Sequence, residues 1–127
     1  VEGRDQMRVL ILEDNAERIR QFVEKLDKVE AKYEITDRPK EAIALLKEQT
    51  YDYIFLDHDM GLVMEKPGEG TGYEVAEWIS KHPLDCPKRV LIHSMNNVGA
   101  AAMMSVLGDV GIRATYIPLL WTKLKIG

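Results

Sequence analysis

Acidic and polar residues appear in this chain where runs of apolar residues stop. Val9-Leu10-Ile11-Leu12 ends at Glu13-Asp14-Asn15, and Tyr53-Ile54-Phe55-Leu56 ends at Asp57-His58-Asp59. A third run, Arg89-Val90-Leu91-Ile92, ends at His93-Ser94, with Asn96 close behind. If these three ends meet, Glu13, Asp14, Asp57 and Asp59 repel one another. The simplest remedy is a hard divalent cation with oxygen ligands, and magnesium fits best because it accepts few protein carboxylates and keeps several waters. Magnesium in such a pocket neutralises phosphoryl oxygens while a nucleophile attacks. Asp57 is the candidate nucleophile, since a carboxylate can form an acyl phosphate, and Ser94 is a candidate donor to a phosphoryl oxygen. Each part also has a plainer reading. A Glu-Asp pair after a strand often only caps a helix, and serine commonly caps turns. The combination at three run ends carries the argument.

The elements that must position these residues alternate. Short apolar runs bounded by turn residues read as strands buried on both faces. After the first run, Ile19, Phe22, Val23 and Leu26 share one helical face behind Asn15 as N-cap, while Arg18, Arg20, Glu24 and Lys25 lie off it. Tyr33–Thr36 reads as a weak second strand, and Pro39 sits well in the first turn of a helix carrying Ala42, Ile43, Leu45 and Leu46. A glycine-rich stretch from Met60 to Gly72 precedes a helix with Tyr73, Val75, Ala76 and Ile79 on one side. Val98–Leu107 is a small, apolar helix, and Ala114-Thr115-Tyr116-Ile117 is a fifth strand stopped by Pro118. Leu119–Gly127 is short for a full helix. Strand–helix alternation predicts an α/β fold with a parallel sheet and right-handed crossovers. In such a sheet, ligands bind beyond the carboxyl ends of the strands, where the acids gather.

Composition narrows the class. The chain has 127 residues, enough for one domain with a core, and a net charge of −4 without a basic stripe, which disfavours duplex DNA as a partner. Its single cysteine, Cys86, permits no internal disulfide and fits a reducing, cytoplasmic compartment. No apolar run is long enough to cross a bilayer. Residues 1–6 read as a polar leader outside the fold, leaving 7–127 as one domain. Gly68-Glu69-Gly70-Thr71-Gly72 lacks the spacing of a nucleotide-binding loop and reads as a mobile loop or hinge. Met103 and Met104 read as core filler, Trp78 as core or rim, Trp121 as cover for the sheet edge, and His82 as a solvated helix end.

From Arg8 to about Ile117 the sequence resembles the receiver domain of two-component response regulators. The segments that carry the resemblance are Val9–Asn15, Tyr53–Asp57, Gly72-Tyr73-Glu74-Val75 and Val90–Ser94. It implies a flavodoxin-like five-stranded parallel sheet in the order 2-1-3-4-5. It also implies that Glu13, Asp14 and Asp57 bind magnesium and that the Asp59 backbone carbonyl joins them. Asp57 would take the phosphoryl group and Ser94 would contact it.

Three departures qualify that picture. The family's Lys-Pro after strand five is here Ile117-Pro118, so the phosphoryl-contacting lysine is missing, with Lys123 or Lys125 as distant substitutes. The loop from Asp57 to Gly72 is extended, and the last helix is shortened. Leu56-Asp57-His58-Asp59 and Ile92-His93-Ser94-Met95-Asn96 resemble the receiver variants proposed to process cyclic phosphates. In that scheme Asp57, or a water on the metal, attacks a strained phosphodiester, and His58 or His93 protonates the leaving oxygen. Against this stands strand alternation: residues next to each other point to opposite faces, which would turn His58 from Asp57 and His93 from Ser94.

The sequence thus predicts metal-dependent phosphoryl chemistry at Asp57 on a phosphorylated small molecule or an RNA end. One rival is a phosphoacceptor that takes its phosphoryl group from a sensor histidine kinase. A second is a pseudo-receiver that serves as a binding module.

Overall fold

A computed structural model describes residues 6–58, 71–94 and 96–117. The elements alternate as the apolar runs predict: β1 (Arg8–Leu12), α1 (Ala16–Lys28), β2 (Lys32–Thr36), α2 (Pro39–Glu48), β3 (Tyr53–Leu56), α3 (Gly72–Lys81), β4 (Arg89–Ile92), α4 (Asn97–Gly108) and β5 (Ala114–Tyr116). A single 3-10 turn, Pro83–Asp85, separates α3 from β4. The five strands are parallel in the order β2-β1-β3-β4-β5, the flavodoxin-like arrangement expected from the resemblance.

The sheet is buried on both faces because its central strands are apolar at every position after the first. Leu10, Leu12, Ile54, Leu56, Val90 and Ile92 face a core shared with α2, α3 and α4, through Leu46, Ile79, Met103 and Leu107. Val9, Ile11, Phe55 and Leu91 face the other way, onto Phe22 and Leu26 of α1. Met103 lies in the core and Met104 and Trp78 pack against it, in keeping with their reading as core filler and as core or rim. His82 is the exposed C-cap of α3 and stacks on Trp78, ring centroids 4.2 Å apart.

Two helix starts match the predicted residues, Asn15 and Pro39. The Asn15 side chain accepts the Arg18 N–H at 3.0 Å, and Pro39 occupies the first turn of α2. Thr71 caps α3 and Asn96 caps α4, where the Asn96 Oδ1 accepts the Gly99 N–H at 2.9 Å. No helix among the described residues is long and apolar enough to cross a membrane. Asp59, most of the glycine-rich loop, Met95, Trp121, Lys123, Lys125 and the shortened last helix lie outside the described residues.

Candidate functional site

Strand register builds the site. Leu12, Leu56 and Ile92 pair across β1, β3 and β4, so Glu13, Asp57 and His93 form the next row. Parallel pairing persists into that row: Asp57 N–H donates to Leu12 O at 3.2 Å, and His93 N–H to Leu56 O at 3.0 Å. Alternation along each strand then aims the whole row to the side of Ile11, Phe55 and Leu91, under α1. The side chains are nearly sealed, with relative exposures of 0% for Glu13, 3% for Asp57 and 1% for His93. Ligand atoms from all three lie within 4.8 Å of one another.

The same alternation sends His58 and Ser94 to the opposite side, towards α4. The His58 ring lies so close to Gly99 that a Cβ there would sit 2.3 Å from the His58 Cγ. Its Nδ1 is 3.4 Å from the Asn96 side-chain amide. Ser94 is fully buried, and its Oγ accepts the Asn96 N–H at 3.0 Å. His93 therefore parts from Ser94, as alternation predicts, but in doing so it joins Asp57. Asp14 is exposed and stands outside the buried trio; its N–H donates to Glu13 Oε2 at 3.0 Å.

Arg18 is the residue that sequence reasoning missed. It lies on the first turn of α1, off the apolar face, yet its guanidinium reaches back over the strand ends. Nε donates to Glu13 Oε1 at 2.7 Å and Nη2 to Glu13 Oε2 at 3.1 Å. The same Nη2 is 3.2 Å from Asp57 Oδ2. The available signal was its place three residues past the Asn15 cap: helical side chains tilt toward the N-terminus, so a first-turn arginine points at the strand that precedes it.

Glu13 is the most heavily bonded group in the cluster. Oε1 accepts from Arg18 and from His93 Nε2 at 2.8 Å, and Oε2 accepts from Arg18 and from the Asp14 and Asn15 N–H groups. Burial alone would raise its pKa, but the His93, Arg18 and Asn15 hydrogen bonds outweigh burial and hold it at about 2. A carboxylate so held only accepts, so His93 Nε2 carries the hydrogen of the shared bond. Asp57 shifts the other way. Burial comes first and the Glu13 charge second, and together they outweigh Arg18, His93 and the His58 N–H. The Asp14 carboxyl is also raised, by burial and then by Glu13.

Two glycines bring the helices close. Gly72 N–H donates to His58 O at 3.0 Å, which joins the start of α3 to the end of β3. A Cβ at Gly72 would lie 1.9 Å from the Asp57 carbonyl oxygen, so only glycine fits. Beside Glu13 and Asp14 a cavity of about 250 Å³ opens toward Thr36, Asp37 and Arg38.

Residues 8–109, which include every element from β1 through α4, match the family described as Cyclic-phosphate processing Receiver domain. The chain belongs to that family. Solved structures with the same receiver fold include the phosphorylated cyanobacterial phytochrome response regulator RcpA. It is 22% identical with a TM-score of 0.69, and the match covers 94% of this chain and 86% of that one. The receiver domain of a Pseudomonas aeruginosa sensor histidine kinase, with magnesium ion coordinated in the active site cleft, is 15% identical with a TM-score of 0.67, covering 91% and 87%. A chain of the Saccharomyces cerevisiae co-crystal of the histidine phosphotransfer signaling protein Ypd1 with the receiver domain of Ssk1 is 19% identical with a TM-score of 0.64, covering 91% and 79%. At these identities the likeness shows the fold. Among curated proteins none is similar enough to match.

Within this receiver, Ile117 follows β5 where response regulators place a lysine, and it packs on the α1 side of the sheet. The family's metal can be weighed against the residues present. Glu13 and Asp57 are two buried carboxylates with a guanidinium seated between them, a stand-in for a cation at that position. The oxygen donors suit magnesium, while His93 adds a nitrogen that suits a transition metal better.

Proposed function

We propose that this receiver processes a small or terminal cyclic phosphate at Asp57. The observation that carries the reading is the buried row Glu13, Asp57 and His93 with Arg18 laid across it, at the carboxyl edge of a parallel sheet. The Asp57 carboxylate attacks phosphorus, one ring P–O bond breaks, and an acyl phosphate forms. His93, the histidine in the Asp57 row, gives its proton to the departing oxygen; the His58 ring lies on the α4 side, away from Asp57. Water then hydrolyses the acyl phosphate, regenerates the carboxylate and returns a proton to the imidazole. Glu13 orients His93 through its Nε2–H bond, and Arg18 offsets the carboxylate charge as the anionic substrate approaches. Helices α1, α3 and α4 begin at this edge, so their N-terminal dipole ends favour a phosphate there. Ser94, expected from the sequence to contact the phosphoryl group, lies instead on the α4 side of the sheet and accepts the Asn96 N–H, so His93 holds the position beside Asp57.

Magnesium is part of the proposal. Glu13, Asp57 and the exposed Asp14 would hold it, with Asp59 as a further ligand; when bound it neutralises phosphoryl oxygens. The substrate class is a phosphorylated small molecule or an RNA end, and we place the domain in the cytoplasm.

The test is multiple-turnover hydrolysis of a nucleoside 2′,3′-cyclic phosphate with magnesium, with Asp57→Ala alongside. Turnover that disappears in the variant supports the reading. A folded protein without turnover refutes it for this substrate class.

A second reading is favoured by the position of Asp57 at the end of β3 in a receiver fold. There it would accept a phosphoryl group from a sensor histidine kinase. A one-phosphoryl gain in mass from a small acyl-phosphate donor, lost in Asp57→Ala and without turnover, would select it. A binding module would show neither behaviour.

A further inference from the structure

We propose that Arg18 occupies the cation seat of this receiver and competes with the divalent metal for Glu13 and Asp57. This rests on the proposed metal site, and not on turnover of any substrate.

The carboxylate oxygens are already in use. Glu13 accepts five hydrogen bonds, two on Oε1 and three on Oε2, and Arg18 supplies two of the five. Asp57 Oδ1 accepts the His58 N–H, and Oδ2 faces Arg18 Nη2. A carboxylate has about four lone-pair sites in all, and magnesium demands its own at about 2.0–2.1 Å. Glu13 has no lone pair to spare, so metal reaches it only when the guanidinium leaves; Asp57 keeps lone pairs free, and there the guanidinium opposes the metal by its charge.

Departure is cheap for the rest of the fold. Arg18 is tied to the Asn15 cap by its backbone N–H, so its side chain can swing out without unwinding α1. That side chain is 23% exposed and lies at the rim. Its Nη1 makes no hydrogen bond among the described residues, so only the Nε and Nη2 contacts hold it in. An arginine on a long stem offers a planar, delocalised positive charge that moves out to solvent when a divalent ion takes its place. It is a selective plug, because a monovalent ion gains less from the two carboxylates than the guanidinium does.

The test uses the full chain and magnesium chloride alone, with calorimetric titration of the wild type, Arg18→Met and Arg18→Lys. Methionine keeps the apolar stem and removes the competing charge. Arg18→Met should bind magnesium at least tenfold more tightly than the wild type, with Arg18→Lys in between. Should Arg18→Met fold poorly without metal, its melting temperature should climb with magnesium concentration far more steeply than that of the wild type. Equal or weaker magnesium affinity in Arg18→Met overturns the proposal, as does the absence of binding to either protein. Loss of cyclic-phosphate turnover in the wild type would refute the activity and leave this competition standing.

Discussion

Glu13, Asp57 and His93 are neighbours because three strands end in register, and their protons answer to that crowding. Glu13 is held at about 2 in the folded chain and returns to its ordinary 4.5 on unfolding. Its contribution to stability is complete above pH 4.5 and is lost as pH falls from there toward 2. Urea unfolding followed across that window should show a smaller loss in Glu13→Gln than in the wild type. At neutral pH the same substitution should lower stability by about 3–5 kcal/mol, because Arg18 and His93 lose a buried charged partner. Asp57 has the opposite sign: its raised pKa favours the folded state in acid, and that contribution is lost as pH rises through the folded value. In the metal-free protein the Asp57 carboxyl should therefore titrate above the ordinary 3.8 of an aspartate in an NMR pH titration. A signal that titrates at or below that value would show that Arg18 and His93 outweigh burial and the Glu13 charge.

Gly72 and Gly99 let elements approach closely, and these two contacts predict different outcomes. At Gly72 an added methyl meets the Asp57 carbonyl at 1.9 Å, and backbone cannot rotate away. Gly72→Ala should therefore cost roughly 1–3 kcal/mol or more by chemical denaturation and should also impair turnover, since Asp57 itself must move. At Gly99 the added methyl meets the His58 ring, which can change rotamer. Gly99→Ala should cost less stability while shifting the His58 imidazole signals in an NMR spectrum. Turnover should survive that displacement, because His93 and not His58 stands in the Asp57 row; its loss would return His58 to the reaction. Helix α1 adds a third constraint. Phe22 meets the Phe55 ring edge-on at 4.9 Å and the His93 ring at 5.3 Å, so α1 both caps the pocket with Arg18 and props its histidine.

Over the whole molecule, the sheet separates two cores, and only one of them supports the site. Phe22→Ala opens a cavity under α1 and should cost about 3–5 kcal/mol, a large share of the roughly 5–15 kcal/mol available to a domain. Turnover should fall with it even where the protein stays folded. Leu46→Ala, on the α2 side, should cost about 2–5 kcal/mol and leave kcat unchanged below its melting temperature. Equal effects of both substitutions on kcat would show that the α1 face has no special part in the chemistry.

Apolar runs, turn residues and caps determine the elements locally, so β1, α1, α2, β3 and β4 could be placed from sequence to within a residue or so. The acids at the run ends were also visible, because strand termini and side-chain type are written in order along the chain. Sequence could not say which histidine joins Asp57. Strand alternation separates neighbours on one strand, but the partner across the sheet depends on register, which pairing sets. Only the assembled sheet places His93 beside Asp57 and His58 against α4. Arg18 was hidden for a related reason. On a helical wheel it is one polar residue off the apolar face, and its role depends on α1 packing its first turn over the ends of β1 and β3. That packing brings one guanidinium to two buried carboxylates 44 positions apart in the chain, at Glu13 and Asp57, and only tertiary structure decides it.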